Sequence, residues 1–205
     1  MLWPPPVDLS ENPEWWDRFW GDETNDGFGK PSEGLLKWIP KASSPNQSAL
    51  DVASGNGRYA AELAVRGYAT TALELSNSGA TRIRHKATQL GLSIRVEVGD
   101  FLRRSEEAHS YDVVVCSGLL EEIPLETYST AITGLQNWAA PGAIVVNRYC
   151  LEIKGRGVFA ENGHVPSLYD ADKWHIVYVD EMSALKMSKG GFELRHGTIV
   201  ARKAS

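Results

Sequence analysis

From Ala49 onward, short apolar runs alternate with stretches in which apolar residues recur every three or four positions. The runs cover residues 49–53, 69–75, 94–98, 111–116 and 143–149, and their length and β-branched content predict strands. A helix is predicted over 58–66: Tyr59 and Leu63 share a face, Ala60 and Ala64 permit close approach to a sheet, and Arg58, Glu62 and Arg66 form the polar side, with Gly67 placed to end it. Ser76 is placed to cap a second helix whose Ala80, Ile83, Ala87 and Leu90 follow the same spacing until Gly91 stops it. The basic cluster Arg82, Arg84, His85 and Lys86 reads as that helix's solvated face. A third helix aligns Tyr128, Ile132, Leu135 and Trp138, and the Pro141-Gly142 turn introduces the fifth strand. Strands alternating with helices predict βαβ units, an α/β class and a mostly parallel sheet.

Past Cys150 the pattern changes. Residues 152–167 bear glycines without periodicity and read as a loop or lid, and 167–174 as one or two helical turns. Residues 174–179, 182–187 and 192–203 read as β-structure, with Lys189-Gly190-Gly191 a hairpin turn. The sheet is therefore expected to end in an antiparallel C-terminal part.

The length of 205 residues suits one domain with a short appendage, and 42% hydrophobic with 23% charged residues excludes a disordered or collagenous chain. A formal net charge of −5 gives the surface no electrostatic reason to hold phosphate backbones, so nucleic acid is not expected as a partner. No run of 18 apolar residues and no basic leader followed by an apolar stretch occurs, so the expectation is a soluble cytoplasmic protein, monomer or homodimer, away from membranes. Cys116 and Cys150 lie in strand-like runs without CxxC or histidine pairing and read as buried thiols; no metal is expected. Four of seven tryptophans (Trp3, Trp15, Trp16 and Trp20) fall in the first 20 residues. They precede the first strand, so they are expected to lie over the carboxyl ends of the strands, making 1–40 a segment that covers a site carried by 41–205.

Chemistry concentrates where the first strand meets the first helix, at Asp51-Val52-Ala53-Ser54-Gly55-Asn56-Gly57-Arg58. Gly55 and Gly57 allow a tight turn and close approach of a ligand to the backbone, and the helix N-terminus favours an electron-rich group. Glu74, 19 residues after Gly55 and followed by Leu75, ends the second strand, where a carboxylate can accept from both hydroxyls of a ribose. Gly55-x-Gly57-x-x-Ala60 with Glu74 also satisfies the dinucleotide fingerprint, so an NAD(P)-dependent oxidoreductase is one reading. Three features favour S-adenosylmethionine instead. Asp51 suits an ammonium and would repel a pyrophosphate. Asp100 can accept from an adenine amino group while Phe101 flanks the ring. The chain also closes in antiparallel β-structure.

On these residues the sequence resembles the class I S-adenosylmethionine-dependent methyltransferases, from Ala49 to Lys203. Motif I matches Leu50 to Arg58, the ribose acid Glu74, the adenine-contacting acid Asp100, and the fourth-strand motif Tyr111-Asp112-Val113-Val114-Val115-Cys116-Ser117. Ala53 departs from the pattern, standing where the family usually has its first glycine. The resemblance implies a Rossmann-like doubly wound sheet and a cofactor site of Asp51, Ala53, Gly55, Gly57, Glu74, Leu75, Asp100, Phe101 and Ser117. Tyr178-Val179-Asp180-Glu181 and His196 to Lys203 are similar to the closing strands of the tellurite-resistance methyltransferases, and Trp16-x-x-x-Trp20 to the tryptophan pair of thiopurine methyltransferases. Both imply a small-molecule substrate presenting a soft sulfur, selenium or tellurium nucleophile. The sequence after the fourth strand lacks the Asn/Asp-Pro-Pro-aromatic run of amino methyltransferases acting on adenine, cytosine or glutamine. A sulfonium is already an activated methyl donor, so the protein's work would be positioning and exclusion of water. Expected acceptor-side residues are Trp16, Trp20, Ser117, Leu120, Glu121, Arg148, Tyr149 and His164. A non-catalytic adenosine-cofactor-binding module is the third reading.

Overall fold

The computed structural model describes residues 13–25, 29–107, 109–153, 157–186 and 193–205. The elements are α1 (Pro13–Gly21), α2 (Glu33–Leu36), β1 (Ser48–Val52), α3 (Arg58–Val65), β2 (Ala69–Glu74), α4 (Asn77–Leu90), β3 (Ile94–Val98), β4 (Tyr111–Ser117), α5 (Tyr128–Trp138), β5 (Ala139–Ile153), β6 (Gly157–Val158), α6 (His164–Ser167), β7 (Trp174–Asp180), β8 (Ala184–Lys186) and β9 (Glu193–Lys203). One sheet runs β3-β2-β1-β4-β5-β9-β7, with β6 on β5 and β8 on β9. β1 to β5 pair in parallel and β9 pairs antiparallel with β5, β7 and β8, which is the Rossmann-like architecture expected from the sequence. The chain builds β1, β2 and β3 outward and then returns to place β4 beside β1, so a crevice opens at their carboxyl ends.

The central strands are covered on both faces, which is why they read as continuous apolar runs rather than as alternation. On one face Leu50, Val52, Val114 and Val145 pack against Leu135 and Trp138 of α5. On the other, Ala49, Val113, Val115 and Val146 pack against Tyr59 and Leu63 of α3 and against Leu35, Leu36 and Ile39. Ser76 Oγ accepts from the Gly79 N–H at 2.9 Å to cap α4, and Gly91 ends that helix in the left-handed region.

Several details depart from the sequence pattern. Leu90 is 57% exposed because α4 covers β3, the edge strand, whose own faces are only partly shielded. Arg84 and His85 are exposed as expected, but Arg82 leaves the solvated face to donate to the carbonyls of Asp22 and Asn25. β5 starts at Ala139, so Pro141-Gly142 lies inside the strand, at a register shift against β4. The stretch 152–167 is not a featureless loop: β5 continues to Ile153, β6 folds back on it, and the helical turn expected at 167–174 forms earlier, as α6. The Lys189-Gly190-Gly191 turn and Trp3 lie outside the described residues. Among the described residues, no helix is long and apolar enough to cross a membrane and no group of His, Cys, Asp or Glu could hold a metal ion.

Candidate functional site

After Val52 the backbone turns through three left-handed positions, Ala53 (φ 53°), Gly55 (φ 57°) and Gly57 (φ 71°). The two glycines adopt this freely, whereas a residue with a Cβ is disfavoured there by roughly 1–2 kcal/mol. Ala53 thus keeps the glycine-like conformation at a local cost. Gly57 caps α3 and is closed in by Ile83, whose Cγ1 would lie 2.9 Å from a Cβ at that position. Asp51 Oδ2 accepts from the Ala60 N–H at 2.9 Å, tying the strand end to the first helical turn. The carboxyl is 2% exposed, and burial pushes its pKa up to about 7 against the opposing Ala60 N–H and Arg58 charge.

Glu74 closes the neighbouring strand. Its Oε2 accepts from the Gly55 N–H at 2.7 Å and its Oε1 from the Ser76 N–H at 3.1 Å. It too is pushed up to about 7 by burial. At the end of β3, Asp100 Oδ1 accepts from the Leu102 N–H at 2.9 Å. The Phe101 ring packs onto Trp138, edge to face at 5.4 Å, and into the space Gly134 leaves open, while the residue still borders the cavity. Leu75 and Leu102, both half-buried, also line that wall.

These side chains border one cavity of about 220 Å³ at the β1/β4 crevice. Of the sequence-predicted residues, Asp51, Ala53, Gly55, Glu74, Leu75, Asp100, Phe101 and Ser117 line it, and so do Trp16, Trp20, Glu121, Arg148 and Tyr149. Gly57 shapes the turn from beneath and Leu120 is fully buried; neither is among the lining residues. His164 is also elsewhere: it starts α6, beside the ring of Tyr128 at 6.2 Å, because β6 and α6 carry the chain away from the crevice. Tyr149 is held by structure as much as by the cavity. Its ring presses on Gly197, and its hydroxyl donates to Glu181 Oε1 at 2.8 Å, while Glu181 Oε2 accepts from the Gly163 N–H.

The aromatic helix α1 forms the remaining wall. Trp15, Phe19 and Trp20 are buried together with Trp16 against them, and the Trp20 ring leaves no room for a Cβ at Gly55. Asp17 Oδ1 accepts from the Ser78 N–H at 2.8 Å and Arg82 lies over the Trp20 ring, so α1 is fastened to α4 rather than to the sheet.

Arg58 and His196 are among the lining residues that had no signal in the sequence strong enough to select them. Arg58 reads as part of a polar helix face, yet as the first residue of α3 it borders the cavity. His196 arrives through the β5·β9 pairing opposite Cys150. Its Nδ1 has no hydrogen-bond partner, and burial together with the neighbouring Arg148 depresses its pKa to about 4.

A family model described as a methyltransferase domain matches residues 49–142. EEF1A lysine methyltransferase 2 of Mus musculus is 29% identical over 187 residues, covering 89% of this chain and 73% of that protein. Its Danio rerio counterpart is 30% identical over 109 residues, covering 51% of this chain and 47% of the relative, so there the match spans about half the relative's length. Among solved structures, the protein studied for conversion of a disulfide bond into a thioacetal group during echinomycin biosynthesis superposes with a TM-score of 0.73 at 22% identity, over 94% of this chain and 93% of that one. TehB from Haemophilus influenzae gives 0.73 at 16% identity, over 91% and 66%. Magnesium protoporphyrin IX methyltransferase from Synechocystis, with bound S-adenosylhomocysteine, gives 0.69 at 14% identity, over 97% and 97%. At these identities the structural likeness speaks for the fold.

Proposed function

We propose that this chain, whose residues 49–142 match a methyltransferase domain and whose fold is shared with S-adenosylmethionine-dependent methyltransferases, is a methyltransferase of that class and transfers the methyl group to an amine, with a protein lysine side chain as the acceptor class. The cofactor supplies an activated methyl on a sulfonium. The residues present fit it. Asp51 would meet the methionine ammonium, the Gly55 turn would let the ligand approach the backbone, and Glu74 has carboxylate lone pairs left for ribose hydroxyls beyond its two backbone bonds. Leu75 and Leu102, with Phe101 behind them in the same wall, would flank the adenine, and Asp100 would accept from its amino group. Trp16 and Trp20 cover the site, so that α1 excludes water from the reaction.

The buried Asp51–Glu74 pair beside the three-position left-handed turn is the observation that carries the cofactor assignment. A pyrophosphate at the turn would meet the Asp51 carboxyl, which disfavours the nicotinamide reading, whereas Glu74 as a ribose acid suits either cofactor. The amine is supported by the similarity to lysine methyltransferases, one of which aligns over 89% of this chain, and by Glu121 and Glu122 in the cavity wall. A second reading keeps the small, soft sulfur, selenium or tellurium nucleophile. Arg58 and Arg148 in the same wall favour an anion, and the aromatic cover suits a small acceptor.

Calorimetry with S-adenosylhomocysteine and NAD, followed by labelled methyl transfer to lysine-containing proteins, small amines, thiols, selenite and tellurite, tests both steps. Tight binding of S-adenosylhomocysteine with label on amines is the expected result. Label on thiols or oxyanions alone would favour the second reading, and binding with no transfer to any acceptor would leave a cofactor-binding module.

A further inference from the structure

Glu121 is a carboxyl that the cofactor end does not use. It lies on the single 3-10 turn Leu120–Glu122 that follows β4, and it borders the cavity beside Ser117 and Gly118. Gly118, at φ 99°, leaves its Cβ position only 3.5 Å from Glu121 Oε1. Oε2 is shut off from water and has no hydrogen-bond partner. A buried acceptor left unsatisfied is costly, so such an atom calls for a donor.

The groups facing this carboxyl come from four elements. Arg58 on α3 and Arg148 on β5 favour its charged form. Cys116 on β4, Cys150 on β5 and Tyr128 on α5 surround it as neutral groups, their ionisation opposed first by burial and then by Glu121. Burial outweighs the two arginines and the nearby backbone N–H groups, and raises the carboxyl above the usual carboxylate range.

Resting on the amine reading, we infer that Glu121 is the catalytic residue that takes the proton of the acceptor ammonium. An ammonium has no lone pair and cannot attack. In water a lysine amine holds its proton to a pH of about 10.4. A water-poor site penalises ammonium and carboxylate alike, and passing the proton from nitrogen to Glu121 replaces two buried charges by none. The free amine's lone pair then forms the N–CH3 bond as the C–S bond breaks with its electron pair going to sulfur, which leaves a thioether. The product is a methylammonium. Glu121 carries the first proton and returns it to solvent when the product leaves.

The experiment is a pH–rate profile from 6.5 to 10 on the intact enzyme with a lysine-containing acceptor, for the wild type, Glu121→Gln and Glu121→Asp. Glu121→Gln is expected to lose roughly 100-fold in kcat/KM near pH 7.5, the usual scale of a proton-transfer group. The loss should shrink steadily toward pH 10 as water deprotonates the amine, with S-adenosylhomocysteine affinity within about twofold of wild type. Glu121→Asp keeps an acid and should be slower with a wild-type pH profile; it carries the test alone if the amide variant fails to fold. Activity of Glu121→Gln within threefold of wild type at pH 7.5, a loss of the same size at every pH, or an aspartate variant whose defect is relieved at high pH would each overturn the proton role. A wild-type enzyme that methylates no amine at any pH would instead defeat the acceptor reading from which the role was drawn.

Discussion

At one end of the cavity the chain offers backbone and strand ends: the turn from Ala53 to Gly57, with Asp51 and Glu74 held by main-chain N–H groups. At the other it offers side chains from separate elements, Glu121 after β4, Arg148 on β5 and His196 on β9, brought together by the β4·β5 and β5·β9 pairings. The first end is a local construction whose geometry is inseparable from folding. The second depends on a scaffold that stands without it, so under the proposed function its residues would be free to set the acceptor without setting stability.

The largest expected effect tests that separation directly. Gly57→Ala places a Cβ in a left-handed position and against Ile83, and should destabilise the fold by about 2–4 kcal/mol in chemical denaturation. Arg148→Met should cost no more than about 1 kcal/mol while lowering turnover. An arginine variant as unstable as the glycine variant would erase the distinction.

Next in size, Asp51→Asn and Glu74→Gln should each weaken S-adenosylhomocysteine binding by about 1.5–3 kcal/mol, or roughly 10- to 150-fold, by calorimetry. His196→Asn should leave it within about twofold. Equal losses at all three positions would merge the two ends into one site.

A smaller effect comes from pH. Asp51 and Glu74 titrate near 7 in the folded chain, above their unfolded values, so the folded state holds more protons between about pH 4 and 7. Their contribution to stability therefore declines as pH rises through that window and levels off above it. A ligand ammonium favours ionised Asp51, so binding should release a proton below pH 7. Affinity should then weaken by roughly tenfold per unit below 7, read from calorimetry in two buffers of different ionisation heat. His196, depressed to about 4, stays neutral above pH 5 and should add nothing there. Binding heats independent of buffer at pH 6 would remove Asp51 from the cofactor end.

Smallest of all, Ala53→Gly should stabilise the fold by about 0.5–1 kcal/mol by relieving the left-handed alanine, seen as a modest rise in Tm. No gain would mean that the Ala53 methyl, packed on the core, offsets its own strain.

The same division explains what the sequence made legible. Asp51, Gly55 and Glu74 were readable because a strand-turn-helix and the next strand's end are local patterns, and the alternation of elements carried the sheet and its antiparallel close. Phe101 borders the cavity as its type suggests, but the packing of its ring is decided across the core by Gly134 and Trp138, which no local pattern shows. His164 looked available in a glycine-bearing stretch, but β6 and α6 turn that stretch away. Arg58 and His196 escaped notice because helix start and strand register, not residue type, bring them to the cavity. Arg82 was hidden within a cluster that looks merely soluble.

The fastening of α1 to α4 also bears on how the chain is made. Trp15, Trp16, Phe19 and Trp20 are synthesised before the helix they dock against, which is complete only at Leu90. At about 5–20 residues per second, that leaves these aromatic side chains without their partner for roughly 3–14 s of synthesis. During that interval they form a short, sticky amphipathic segment on a nascent chain. The helix whose Trp16 and Trp20 border the finished cavity is therefore also a segment that the growing polypeptide exposes to chaperones and to misassociation with its neighbours.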